Sequence, residues 1–177
     1  MKKKPIYLWI LLVLSALISA SSLFGILGPV PSKEVLRASL SNSGSLTAQQ
    51  IEDTVNYTYQ VTASSHSIFN VVLIVLSAIL VVLAFVFLVR KNVQFANYAY
   101  LGYLLLAIVG LVYSFVNIQD AIQLIKDDTL GLGIGTLAKG TVILFMIINV
   151  LFLALVLYKM WRQQKDLAEE AEAEEVA

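Results

Sequence analysis

The stretch at residues 71–89 is almost continuously hydrophobic. Sixteen of its nineteen residues are Val, Leu, Ile or Phe, and only Ser77, Ala78 and Ala84 interrupt it. A helix of this length covers about 28 Å, close to the thickness of the hydrocarbon core of a bilayer. The pattern therefore predicts a membrane-spanning helix.

Three further apolar runs are long enough to cross a bilayer. Together with the run at residues 71–89, they give four predicted spans, at about residues 6–27, 67–89, 95–116 and 137–158. The connection between the second and third spans is so short that these two must form an antiparallel hairpin. We therefore predict an all-α fold, a single integral membrane domain built as a four-helix bundle, with short amphipathic helices in its outer loops.

The N-terminal apolar run, at residues 6–27, is also compatible with a secretory signal peptide. It follows three lysines, and the small residues at 20–22 could serve as a cleavage site. However, apolar residues continue past that point to Leu27, which favours an uncleaved first span. Gly28 and Pro29 then end the run, because proline lacks a backbone donor and biases the preceding residue away from helix.

The segment 32–66 is polar and is predicted to be an extracellular helical loop. Ser32 can cap a short amphipathic helix, and Thr47 followed by Gln50 has the spacing of a capping box that starts a second one. The second helix has an apolar stripe formed by Ile51, Val55 and Tyr59. Such a stripe either packs against the bundle or the lipid surface, or serves as a face for a partner.

The connection at 117–136 is predicted to be a second extracellular loop, part of it amphipathic helix. Its glycines, Gly131, Gly133 and Gly135, predict a turn before the fourth span. Residues 159–177 form a charged cytoplasmic tail, predicted to be a solvated or frayed helix.

The distribution of charge predicts how the chain is threaded. Charged residues make up only 14% of the chain, below the roughly 25% of soluble domains. Eight basic residues near the spans fall on the side of the termini and four on the other side. By the positive-inside rule, this predicts a protein of the cell membrane with both termini on the cytoplasmic side. The eight are Lys2, Lys3, Lys4, Arg90, Lys91, Lys159, Arg162 and Lys165, and the four are Lys33, Arg37, Lys126 and Lys139.

Several chemistries lack the residues that they need. Apart from Lys139 at a border, the four predicted spans contain no Asp, Glu, Lys, Arg or His, which proton relays and ion-coupled carriers usually place inside the bundle. There is no cysteine, and the single histidine, His66, has no second histidine with which to hold zinc. We therefore expect no catalytic residue, no cofactor and no metal, and we expect the protein not to be an enzyme.

The third span carries a stripe of small and polar-tipped residues on one face. It consists of Ala96, Tyr100, Tyr103, Ala107, Gly110, Ser114 and Asn117, at intervals of four and three. Lipid gives no reason for such a stripe, whereas small residues allow helices to approach closely and hydroxyl groups need partners. The stripe is predicted to face inward, either within one four-helix bundle or toward a second copy or a larger partner.

Asn149 is the most polar side chain near the middle of any predicted span. An amide without a partner in hydrocarbon is costly, so this side chain is predicted to turn inward. Ser77 on the second span, and Ser15 and Ser19 on the first, lie at similar depth. We predict that Asn149 bonds to one of these serines as a structural clasp; a functional polar site at the midplane is the alternative.

Several stretches of the sequence look like those of a known group. They lie at residues 28–37, 90–98 and 161–165, and they resemble small, uncharacterised four-pass membrane proteins of Gram-positive, streptococcus-like bacteria. Such proteins are sometimes labelled ABC-type permeases, so the resemblance implies at most a subunit that works beside an ATPase. The outline of spans and loops also resembles tetraspan junction proteins, without the cysteine pair of their first outer loop.

Two functional classes stay open at this point. The first is a non-enzymatic multi-pass membrane protein, an accessory, scaffold or regulatory component that acts through helix–helix or outer-loop contacts. The second is a permease-type subunit of a transporter with a separate ATPase. The expected contacts are the lipid bilayer and a protein partner or a second copy, with no nucleic acid.

Overall fold

The computed structural model describes residues 5–42 and 46–175 of the chain. In this part the chain forms six α-helices and no strand, so the predicted all-α fold is confirmed. The helices are α1 (Ile6–Leu27), α2 (Lys33–Ser41), α3 (Ala48–Ser65), α4 (Ile68–Val89), α5 (Val93–Ile122) and α6 (Asp128–Glu175). The basic residues at 2–4, on which part of the predicted threading rests, lie outside the described residues.

Four of these helices are long and apolar enough to cross a membrane. They are α1, α4, α5 and the part of α6 at Asp128–Asp166. Only 11–22% of the most apolar part of each is buried inside the protein, so most of this hydrophobic surface faces outward. Such surface is stable in hydrocarbon and costly in water, and the protein is an integral membrane four-helix bundle.

The α4–α5 hairpin is the centre of the bundle. α1 packs on α4, and α6 packs on the other side of α5. The hairpin turn is tight because Lys91 adopts a left-handed conformation with φ of 60°, which lets the Asn92 amide donate to the Phe87 carbonyl at 2.9 Å. The Asn92 side chain then accepts from the Phe95 amide at 3.3 Å and starts α5.

The hydrophobic core lies in the half of the bundle nearer the chain termini, which we call the terminal end. All four spanning helices contribute to it: Leu8 and Leu12, Val81 and Ala84, Ala96 and Leu104, and Val156. The opposite half, which carries α2 and α3, is called the capped end. There the spanning helices leave room for a pocket.

The connection between α5 and α6 differs from the prediction of a glycine turn within a long loop. α5 continues to Ile122, α6 begins at Asp128, and the three glycines lie inside α6. A Cβ atom on Gly135 would lie 3.0 Å from Cδ1 of Ile122, and one on Gly131 would lie 3.5 Å from Cγ2 of Ile125. The glycine at 135 is therefore explained by close packing of α6 against the end of α5, whereas the distance at Gly131 is that of an ordinary contact. The turn interpretation was wrong.

The helices at the capped end begin where the sequence predicted. The Ser32 hydroxyl accepts from the Val35 amide at 3.4 Å, and Thr47 with Gln50 forms the predicted capping box. α3 lies across α5 and α4, α2 packs on α3, and Val55 is fully buried. Val55 of the apolar stripe is therefore buried among these helices, whereas Tyr59 faces α2, with its ring centre 5.3 Å from Lys33 Nζ.

Candidate functional site

The polar stripe of α5 divides into two halves with different surroundings. Ala96, Tyr100 and Tyr103 are buried in the terminal half. Ala107, Gly110 and Ser114 continue the stripe and line a pocket. Asn117 is neither buried nor in the pocket wall, and its amide donates to the Tyr113 carbonyl of the same helix at 2.8 Å.

The pocket has a volume of about 340 Å³ and lies between all four spanning helices. Its apolar wall consists of Ile18, Leu73, Ile74, Leu106, Ala107, Gly110, Leu111 and Phe145. Its polar groups are Ser19, Ser22, Asn70, Ser77, Tyr103, Ser114 and Asn149. It therefore combines hydroxyl and amide groups with hydrocarbon, and no charged side chain lines it.

Few of these polar groups are satisfied by the protein. The Ser22 hydroxyl donates to the Ile18 carbonyl at 3.0 Å, and the Asn70 amide donates to the Ser65 carbonyl at 2.7 Å. Within the described residues, no hydrogen-bond partner is present for four hydroxyl groups of the wall. These belong to Ser19, Ser77, Tyr103 and Ser114.

The predicted clasp through Asn149 is not formed. Its amide donates to the Phe145 carbonyl one turn earlier in α6, at 2.8 Å, while Ser15 bonds to Tyr100 at 3.0 Å. α6 packs on α5 and has little contact with α1, so Asn149 lies on the pocket wall and bonds to a carbonyl of its own helix. It stays at the midplane as a pocket residue instead of a link between helices.

Replacing Asn149 by Leu is therefore expected to change thermal stability in detergent by no more than about 1 kcal/mol, since hydrogen bonds of this kind in membranes average about 0.6 kcal/mol. Thermal unfolding of the purified variant measures this. A larger loss would show that the side chain does link two helices. A cellular phenotype lost at unchanged stability would assign Asn149 to the function of the pocket.

The floor of the pocket is closed toward the terminal end by tyrosines. The rings of Tyr100 and Tyr103 stack with centroids 5.5 Å apart, and the Tyr100 hydroxyl lies 3.0 Å from Ser15 Oγ on α1. One turn further, the Tyr7 hydroxyl donates to Asn97 Oδ1 at 3.0 Å. These two polar contacts join α1 to α5 and separate the pocket from the terminal end.

Sequence reasoning missed Asn97, which is fully buried in α5. Its Nδ2 is the one buried side-chain nitrogen or oxygen without a hydrogen-bond partner among the described residues. A signal was present: Asn97 lies three residues before Tyr100 and so shares the inward face of the helix. Tyr7 bonds only to Oδ1 of Asn97, so the Nδ2 group of this side chain has no partner among the described residues.

A second set of contacts fastens α3 to the bundle. The Asp53 side chain, 2% exposed, accepts from the backbone amides of Lys126 at 2.9 Å and Asp127 at 3.0 Å. Gln49 donates to its other oxygen at 2.9 Å. Sequence reasoning missed Asp53 as well, because its partners are main-chain groups more than seventy positions away and carry no pattern of their own.

An ion pair and a histidine complete the cap. Arg37 on α2 makes a two-pronged contact with Glu52 on α3, with Nη2 3.0 Å from Oε2, and this hydrogen bonding lowers the pKa of the Glu52 carboxyl. The His66 ring lies between the carbonyl oxygens of Thr62 and Gly28, 2.9 Å from each. α2 and α3 are thus held to each other, to the end of α1 and to the α5–α6 turn.

No group of three or more His, Asp or Glu side chains is placed to hold a metal ion within residues 5–42 and 46–175. A second, more open cleft of about 380 Å³ lies beside the start of α6 and contains Asp127, Asp128 and Lys139. Asp127 caps α6 there, since the Leu130 amide donates to its side chain at 2.9 Å, and this bond lowers the pKa of Asp127.

A family model described as Domain of unknown function (DUF8777) matches residues 1–169, and the chain belongs to that family. No curated protein and no solved structure matches the chain.

Proposed function

We propose that this member of the DUF8777 family is a non-enzymatic accessory or regulatory component of a cell membrane, which acts by contact with another membrane protein or a second copy. In this proposal the termini are cytoplasmic and the capped end is extracellular, as the excess of basic residues on the terminal side indicates. The surface that makes the contact is formed by α2 and the exposed side of α3.

The observation that carries the proposal is the attachment of α2 and α3 to the bundle. Asp53 fastens α3 to the α5–α6 turn, and Arg37 fastens α2 to α3. A surface that is already ordered loses less conformational entropy when a partner binds than a flexible loop does. The exposed hydrophobic side chain of Val35, 60% accessible, lies on this ordered surface.

The shape of the pocket supports an accessory role over transport within one chain. The stacked tyrosines and the core behind them, including Leu8, Ala96 and Leu104, fill the terminal half of the bundle. A transported solute needs a route that opens alternately to both sides, and this pocket ends at its floor.

A photo-crosslinking amino acid at position 35 tests the proposal, with Leu151 on the lipid-facing side of α6, 62% exposed, as the matched control position. We expect a protein adduct from position 35, either a second copy or one recurrent membrane protein, and lipid adducts alone from position 151. Mass spectrometry of the adducts identifies what is bound. Equal protein labelling from both positions would contradict a specific surface.

A charge exchange between α2 and α3 sharpens that test. Glu52→Arg places two cations side by side and is expected to lower the adduct yield from position 35 severalfold, because α2 is repelled at Arg37 and keeps only the contacts of Lys33 with Asn56 and Tyr59. Arg37→Glu combined with Glu52→Arg restores opposite charges and is expected to restore the yield. A double variant as weak as the single one would show that the side chains, and not the attachment, matter.

The second candidate function is a permease-type subunit. The observation in its favour is the pocket itself, which places Ser77, Tyr103 and Asn149 near the middle of the spans. Purification in mild detergent distinguishes the two, since a stoichiometric ATPase in the complex would favour the permease and overturn the accessory role.

A further inference from the structure

We propose that the pocket between the four spanning helices binds the head of an uncharged, hydroxyl-bearing glycerolipid of the diacylglycerol type. The inference goes beyond the proposed accessory role and does not depend on it. It rests on unsatisfied polar groups, on the direction from which the pocket can be entered, and on the absence of charge from its wall.

The residues that carry the unsatisfied groups are buried, while their hydroxyl oxygens stay accessible from the pocket. Tyr103 is 4% exposed and Ser19 is 8% exposed, both line the pocket, and neither hydroxyl has a partner among the described residues. Polar groups in the hydrocarbon region are stable only when hydrogen-bonded. A bound molecule that carries hydroxyl and ester groups supplies those partners.

The pocket is entered from the side, between α1 and α6. These two helices meet at the terminal end, where Leu8 and Val156 share the core and Lys159 Nζ lies 5.8 Å from the ring centre of Tyr7. At the level of the pocket they form its two rims, with Ser19 on one and Asn149 on the other, without packing extensively on each other. The neighbouring phase at that depth is the lipid, so a lipid is what can enter.

The wall selects an uncharged head. It offers hydroxyl and amide groups and no Lys, Arg, Asp or Glu, so a phosphate or a choline group would lose its hydration without an opposite charge. A volume of about 340 Å³ lies at the low end of the roughly 300–1,000 Å³ of ligand sites. It accommodates a glycerol head and the first part of a chain, while the rest of the chain stays in the bilayer.

Photolabelling with a diazirine-bearing diacylglycerol tests the inference on the full chain in phosphatidylcholine nanodiscs. Gly110→Leu fills the pocket, because a Cβ atom at this position meets nothing within 4 Å. Gly140→Leu is the matched control, since it too has open space around it and does not line the pocket. We expect labelling of pocket peptides to fall at least tenfold in the first variant and to stay within twofold in the second.

A variant without added volume provides the second arm. Tyr103→Phe keeps the ring and removes one unpaired hydroxyl, and we expect labelling to fall about three- to tenfold while the melting temperature is unchanged. Excess unlabelled diacylglycerol should compete with the probe, and phosphatidic acid should not.

Two outcomes would overturn the inference. They are labelling that is unaffected by both Gly110→Leu and Tyr103→Phe, and equal competition by phosphatidic acid.

Discussion

Replacing Asp53 by Ala is expected to detach α3 from the α5–α6 turn and to destabilise the protein by about 3–6 kcal/mol. Hydrogen bonds to a charged group contribute about 1.5–3 kcal/mol each, and buried donors left without a partner add their desolvation cost. Two main-chain amides, those of Lys126 and Asp127, lose their acceptor in this variant. Thermal unfolding in detergent measures the loss, and hydrogen exchange in α3 locates it.

Asp53→Asn is the matched control for this prediction. One oxygen of Asp53 accepts from both amides, and the Asn side chain retains one such oxygen. We expect a loss of about 1–3 kcal/mol, because two charged hydrogen bonds become neutral ones and the new amide group faces the Gln49 side chain. If Asn and Ala variants were equally destabilised, the negative charge and not the two hydrogen bonds would be holding α3.

Replacing Tyr100 by Ala should remove the floor of the pocket and cost about 3–5 kcal/mol, as do other losses of a buried aromatic ring. Tyr100 is fully buried, stacks on Tyr103, and bonds to Ser15 on α1. Unfolding in detergent measures the loss, and increased labelling of a cysteine placed at Ala96 reports whether the terminal half has opened.

Tyr100→Phe separates the ring from its hydroxyl. It keeps the stacking and removes one hydrogen bond between helices, so the expected loss is about 0.6–2 kcal/mol. Ser15→Ala should cost a similar amount, and the double variant should cost little more than either, because both changes remove the same bond. Fully additive losses would show that the two hydroxyls do not interact.

Hydrophobic patterning predicted the large-scale fold because bilayer thickness sets the length of an apolar run. The run at 71–89 and the Thr47–Gln50 capping box are local features, and both appear in the structure. The beginning of α6 was misjudged because a glycine preference for turns is a local rule, whereas Gly135 serves a contact with Ile122 on another helix.

The sequence predicted some residues of the candidate site but not the pocket that they line. The stripe on α5 identified the inward-facing residues, but the same small residues can permit close packing or leave a space. Which of these occurs depends on where α1 and α6 lie, and neither position is encoded near Gly110. Asp53 bonds to main-chain groups, which every residue has, so nothing in the sequence marks its partners.

Because α6 is long, a small tilt of this helix at the pocket would move its C-terminal end by a much larger distance. This helix continues from Asp128 to Glu175, so about 39 Å of it extends beyond Asn149 at 1.5 Å per residue. A tilt of about 10° at the pocket rim would carry the far end of such a rod some 7 Å sideways. A molecule that pushes Asn149 away from Ser19 would thus displace the acidic tail at the terminal end of the bundle, on the other side of the membrane.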